Sequence, residues 1–286
     1  GMAQQLKGKV AIVTGASRGI GAAIALRFAA EGAKVAMVAR TVQEGTSRLP
    51  GSLDEVADRI RALGGECLCI GAHLAKEEQR GDIVPRTIAR FGGVDILVNN
   101  AAWCRYQACH DHALKDVRQT LEVNMVAPLD LSRQCLPSMK ARGAGWIVNL
   151  SSATVNHPAP APYDLEERYT RFNLRDGPSI YAASKAALER MTVGMAVELA
   201  PFNIAVNTLA PVEAVASEGA NELGVIDAVA HMEPVEAMAE AALALSSHPA
   251  KTLSGRVALS LDLLRELGMC TVKTLDGREA LPDYAF

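Results

Sequence analysis

The sequence predicts an α/β fold, a doubly wound sheet of about seven parallel strands with helices on both faces. Two patterns carry that expectation. Short β-branched runs alternate with longer helical stretches along the chain, and the runs are apolar on both faces, as strands covered from each side must be. The first run also ends in a glycine-rich turn, TGASRGIG, that opens directly into a helix.

The elements follow in order. KVAIVT (9–14) is the first strand, with a helix near 19–31 after it, and KVAMVA (34–39) precedes a helix near 52–63. ECLCIG (66–71) sets Cys67 and Cys69 on one face as small apolar residues. A helix near 76–91 leads to VDILVN (94–99), and one near 112–139 leads to GWIVNLS (145–151). The helix near 180–200, NIAVNTL (203–209), a helix near 233–247 and GRVALSL (255–261) complete the series. A chain of 286 residues with 49% hydrophobic content can bury one large core, so residues 1–286 read as a single domain.

Three segments break the rhythm. Residues 153–179 are rich in proline, charge and aromatics, and they separate a strand from its helix by far more than such units need. This inserted stretch is expected to loop over the site as a lid, with Tyr163, Tyr169 and Phe172 as candidate contacts; the alternatives are an oligomer contact and a partly disordered excursion. Residues 212–232 form a second loop, placed to shape a substrate pocket, and 265–286 an irregular tail. The loop at 41–52 is also long for its place and is expected to wrap the adenosine phosphate of a nucleotide.

Composition excludes several partners. A net charge of -3 offers no broad basic field for nucleic acid or an acidic membrane. The six cysteines have neither paired zinc spacing nor the density of a disulfide scaffold, which suits a reducing cytoplasm. The N-terminal GMAQQLKGKV has no apolar signal core, and its leading glycine reads as a remnant of a tag. No run approaches bilayer length. A cytoplasmic protein that binds neither nucleic acid nor membrane is expected, and no metal, because His110 and His112 lack companions to complete a site.

Gly15, Gly19 and Gly21 let the backbone turn sharply and approach a pyrophosphate, whose charge is favoured by the free amides at the start of the following helix. Ser17, Arg18 and Ile20 belong to the same turn. A carboxylate at the end of the second strand would select NAD, but that end carries Arg40 and Thr41. Arg40 and Arg18 together can grip a 2′-phosphate, so the cofactor expected is NADP(H) in preference to NAD(H).

In IYAASK (180–185), Tyr181 and Lys185 stand four residues apart with small residues between. On a helix such positions are about 40° apart and roughly 6 Å along the axis, so both reach one pocket.

These motifs, together with NNAA (99–102), Asn124 in LEVNMV and the serine pair of IVNLSS, resemble the short-chain dehydrogenase/reductase family from about Lys9 to Leu261. The resemblance implies a Rossmann-type fold and a catalytic set of Asn124, Ser152, Tyr181 and Lys185. It also places the cofactor against the glycine turn, Asn100, Ala101, Ala102, Pro211 and Val212, with Tyr181 and Lys185 at its reactive end. His73 stands where the family has an acid beside the adenine, leaving that contact to the Leu74 backbone. NNAA replaces the commoner NNAG. PVEAVAS departs from the family's Pro-Gly and Thr, with Ala216 or Ser217 at the Thr place, and SLDLLRELG replaces an acidic-glycine ending.

The chemistry implied is hydride transfer between a carbonyl and a secondary alcohol, with Tyr181 as general acid and base. Lys185 is expected to lower the phenol's pKa, Ser152 to donate to the carbonyl oxygen, and Asn124 to support a proton-relay water. Strand alternation turns Ser151 to the opposite face from Ser152. A small carbonyl or alcohol substrate and a homotetramer or homodimer, packed through the helices near 112–139 and 180–200, follow from the resemblance. The alternative is an NAD(P)-binding sensor or scaffold with little turnover.

Overall fold

The computed structural model describes residues 4–40, 52–212, 214–216 and 232–286. Seven strands form one parallel sheet in the order β3-β2-β1-β4-β5-β6-β9: β1 (Val10–Thr14), β2 (Lys34–Ala39), β3 (Cys67–Gly71), β4 (Ile96–Asn99), β5 (Gly145–Leu150), β6 (Ile204–Ala210) and β9 (Val257–Leu259). The order reverses between β1 and β4, and a ligand crevice is expected there, outside the strands' carboxyl ends. A short parallel pair, β7 (Ala214–Ala216) with β8 (Met232–Pro234), stands apart from the sheet.

Side-chain alternation divides the core in two. Val13, Met37, Val98 and Leu150 face one way, against α1 (Gly19–Ala30), α2 (Leu53–Ala62), α9 (Val235–Leu245) and α10 (Ser260–Glu266). Ile12, Val38, Leu97 and Ile147 face the other, against α4 (Ile83–Phe91), α6 (Ala127–Arg142) and α8 (Ser179–Leu199). Among the described residues no helix is long and apolar enough to cross a membrane.

The structure departs from the expected elements in four places. The helix near 76–91 is two, α3 (Glu77–Arg80) and α4, because Arg80 turns inward. Its guanidinium bonds Asp130 and Glu122 at 2.9 and 2.8 Å and the Leu74 carbonyl at 2.7 Å. The helix near 112–139 is interrupted between α5 (Leu114–Leu121) and α6 by a π-helical turn at Glu122–Val126. Pro128 has no N–H for the carbonyl four residues back, at Asn124, and the ladder widens so that the Ala127 amide bonds the Glu122 carbonyl. The last strand stops at Leu259 and passes directly into α10.

The fourth departure is the insert, which holds a helix, α7 (Arg168–Asp176), where a loop was expected. Glu167 caps it by accepting from the Tyr169 and Thr170 amides, and Gly177 ends it in a left-handed turn at φ 65°. These caps offset the helix's weak apolar face.

The tail is irregular but packed. Lys273 pairs with Ala280, Val272 is buried, and Leu275, Leu281 and Phe286 lie against the core. It covers a buried ion cluster in which Arg27 bonds Glu31 and Glu240, each at 2.8 Å, with all three at most 3% exposed. Replacing Arg27 by Ala leaves two buried carboxylates without their cation. Urea denaturation is expected to show a loss of about 3–5 kcal/mol.

Candidate active site

A cavity of about 480 Å³ opens at the carboxyl ends of β1, β2 and β4. Gly15, Ser17, Arg18, Gly19 and Ile20 form one side of it, Ala39, Arg40, His73 and Leu74 the far end, and Asn100, Ala101, Ala102 and Tyr181 the near end. The predicted phosphate turn, ribose end and reactive end therefore share one cleft.

The glycines have separate reasons. Gly15 sits at φ 62°, and a Cβ there would lie 2.9 Å from the Ala101 Cα and the Asn100 Nδ2. Gly19 also has positive φ, at 57°. Gly21 does not line the cleft: its Cβ would meet the Gly15 carbonyl oxygen, so its work is to let α1 close onto the turn. Arg18 precedes α1, no side chain caps that helix, and its first turn carries no acid. Uncapped amides at a helix start and the two cleft arginines suit an anionic dinucleotide.

The base of the cleft depends on Thr14, which the sequence reading passed over. Its hydroxyl accepts from the amides of Asn100 and Ala101 at 3.0 Å each, while Asn100 Nδ2 donates to the Gly15 carbonyl at 3.0 Å. The signal available was a hydroxyl ending an otherwise apolar strand. Val38, Ala72, Trp103 and Val123 also line the cleft, and as apolar residues next to strand ends they carried no such mark.

At the adenine end, the His73 amide donates to Gln79 at 2.7 Å, and its ring pKa is lowered by burial, with Arg40 and Lys76 adding to the effect. The Leu74 carbonyl is already taken by Arg80. Pro211 and Val212 follow β6 and are not among the cleft's lining residues. Thr41, Ser217 and nearly all of the loops at 41–52 and 212–232 lie outside the described residues.

At the reactive end, the Ser152 hydroxyl lies beside the Tyr181 phenol and accepts from the Thr154 amide and hydroxyl at 3.1 and 2.9 Å. Ser151 turns away, as alternation required, and donates to Glu189 at 2.6 Å. Lys185, 2% exposed, donates to the Leu150 carbonyl at 2.8 Å. Asn124 is fully buried, and its amide is wholly engaged: Oδ1 accepts from the Trp103 amide at 2.8 Å, and Nδ2 donates at 3.0 Å to the Trp103 carbonyl and to Ser184 Oγ. It pins the cofactor-side loop to α8.

One expectation needs correction. Burial raises the pKa of Tyr181, Cys104 reinforces the rise, and only the Ser152 hydrogen bond opposes it. Lys185 does not reverse this, because its ammonium is directed at Leu150 and lies 5.9 Å from the phenol ring's centre. Burial in turn pushes Lys185 down to about 8, with Cys104 and Glu189 opposing.

Comparison with known proteins agrees with this geometry. The family model for short chain dehydrogenase matches residues 9–163 and 172–223. The chain belongs to the short-chain dehydrogenase family. The break in the match falls inside the insert. Hydroxysteroid dehydrogenase-like protein 2 of Bos taurus is 31% identical over 286 residues, covering 98% of this chain and 64% of the relative. The chain thus spans about 64% of the length of the first curated relatives it matches. An uncharacterized oxidoreductase of Thermotoga maritima is 32% identical over 206 residues, covering 72% of this chain and 71% of that protein.

Among solved structures, a short chain dehydrogenase from Mycobacterium thermoresistibile superposes with a TM-score of 0.78 at 32% identity, covering 97% of this chain and 92% of its own. A Burkholderia cenocepacia short chain dehydrogenase in complex with NADP gives 0.71 at 32% identity, covering 89% and 97%.

The glycine turn supplies a direct check. Gly15→Ala, which places a methyl against Ala101, is expected to weaken cofactor binding at least about tenfold while far-UV circular dichroism stays unchanged. Fluorescence titration with NADPH measures it.

Proposed function

We propose that this enzyme interconverts a ketone and a secondary alcohol with NADP(H), using Tyr181 as the proton donor and acceptor. The observation that carries the reading is that Tyr181, with Ser152 beside it, closes the end of a cleft that begins at the glycine turn. Gly15, Arg18 and Arg40 would hold a dinucleotide along that cleft, where it would supply or accept the hydride. Short-chain dehydrogenases crystallised with NADP at 27–32% identity support the choice of cofactor, as do Arg18 and Arg40 in the cleft wall.

In the reducing direction, the raised pKa of Tyr181 keeps its proton in place until a substrate oxygen draws it. The Ser152 hydroxyl, which lies beside the phenol, donates to the same oxygen and holds the carbonyl in line. Below pH 8 Lys185 is an ammonium, and a positive charge under the phenol stabilises the phenolate left behind. Asn124 acts by position, holding Trp103 and Ser184. The protein is proposed to work as a homodimer or homotetramer in the cytoplasm, with the exposed Leu114, Leu121 and Val197 of α5 and α8 as contact residues.

Three outcomes test this reading. Tyr181→Phe is expected to lower kcat for ketone reduction about a hundred- to ten-thousandfold with NADPH binding intact. Turnover close to wild type in that variant overturns the assignment. The reductive kcat/KM is expected to be flat near neutrality and to fall as pH rises through about 8, where Lys185 loses its charge; Lys185→Met removes that limb of the profile. Arg40→Ala is expected to weaken NADPH binding about ten- to a hundredfold, the worth of a charge-assisted contact, and NADH binding far less.

A further inference from the structure

Between the Asn124 anchor and the insert runs a loop, residues 103–108, that the functional reading leaves without a role. Its Tyr106 ring stands edge-on to two others. The Tyr181 ring lies 6.0 Å away at 65°, and the Phe172 ring of α7 lies 5.6 Å away at 84°. Such edge-to-face pairs fix the inclination of both rings and add about 0.5–1.5 kcal/mol beyond the area they bury. The Cys104 thiol lies beside the Tyr106 hydroxyl on the same loop.

The insert is also fastened to this loop through its backbone. The Gln107 amide donates to the Gly177 carbonyl at 2.9 Å. A Cβ at Gly177 would lie 2.6 Å from the Ala108 nitrogen and the Gln107 carbonyl carbon, so glycine is needed for the approach as well as for its left-handed turn. Leu165, Leu174 and Tyr163 of the insert point to solvent, 59–73% exposed. Phe172 is the large apolar side chain that the insert turns inward onto the loop.

We propose that Tyr106 is a positioning residue for Tyr181, and that the inserted helix α7 holds it in place through Phe172 and Gly177. The inference rests on the assignment of Tyr181 as the proton donor. A phenol that transfers a proton must meet the substrate oxygen at a set angle, and its ring can swing about two bonds unless a neighbour blocks it. Ser152 lies at the hydroxyl end of Tyr181, and Tyr106 packs against its ring.

The test uses Tyr106→Ala, Tyr106→Phe, Phe172→Ala and the double variant Tyr106→Ala/Phe172→Ala in the full chain. Reduction of acetophenone, cyclohexanone and 2-octanone by NADPH gives one readout, and ring-labelled tyrosine NMR the other, the chain having only five tyrosines. Tyr106→Ala and Phe172→Ala are each expected to lower kcat about ten- to a hundredfold with NADPH affinity within about twofold of wild type. Tyr106→Phe restores the rate, and the double variant is no worse than Tyr106→Ala alone. The Tyr181 resonance moves in Phe172→Ala, although the ring that Phe172 packs on is Tyr106, and Gly177→Ala moves it the same way should Phe172→Ala fold poorly.

Losses that add in the double variant, or a Tyr181 resonance unmoved by Phe172→Ala and Gly177→Ala, overturn the proposal. A Tyr106→Phe variant as slow as Tyr106→Ala overturns it too, by assigning the effect to the hydroxyl. Where none of the three ketones is turned over, the resonance decides. Tyr181→Phe run alongside separates the two ideas: if it abolishes reduction while Tyr106→Ala does not slow it, the proton donor stands and the positioning role falls.

Discussion

The bond from Lys185 to the Leu150 carbonyl fixes α8 against the end of β5, and the reactive end of the cleft is built outward from it. Two further bonds run along the same seam, Asn149 to Thr192 at 2.9 Å and Ser151 to Glu189 at 2.6 Å. Lys185, Glu189 and Thr192 advance by three or four residues, one face of a helix, while Asn149 and Ser151 advance by two, one face of a strand. The helix and strand run in opposite directions, so Asn149 meets the later residue, Thr192, and Ser151 the earlier, Glu189. Ser152, next along the chain, then points to the other side and meets Tyr181.

This seam has an electrostatic consequence. Burial acts on both Tyr181 and Lys185 in favour of the uncharged form, raising one and lowering the other. A phenol and an amine in one dry site can hold their proton in either of two places, and the site's neighbours decide which. The Leu150 carbonyl accepts from the ammonium, and Glu189 one turn along α8 favours its charge. Near neutral pH both groups therefore keep their protons, which is the state from which a carbonyl oxygen can be protonated. In the proposed reaction the lysine would make the phenolate tolerable after transfer, while the resting phenol stays protonated.

The sheet and the phosphate turn were legible because their causes are local. Apolar runs such as VDILVN have no other stable place than a buried strand, and Gly15 and Gly19 mark backbone that only glycine adopts freely. The proposed catalytic group was legible only through resemblance, because nothing in the spacing of Ser152 and Tyr181 says that they converge. Thr14 and Arg80 escaped notice because their partners are far along the chain, at Asn100 and Ala101 and at Glu122 and Asp130. The sign of the Tyr181 shift was missed for the same kind of reason: it follows from how deeply the ring is enclosed, and no pair of residues read in sequence reports enclosure.

The insert shows how a fold can accept extra chain between two residues that must meet. Ser152 and Tyr181 are placed by the seam between β5 and α8, whose bonds lie before the insert begins and after it ends, so its length does not enter their geometry. The chain need only leave after the turn at Ala153–Val155 and return at Ser179. Its caps, Glu167 and Gly177, are internal to it, so α7 forms without support from the sheet. What contact it makes with the reactive end passes through the loop that carries Tyr106. An element outside this seam can change the pocket's shape without moving the anchor of Tyr181, and that is the freedom a shared chemistry needs to serve different substrates.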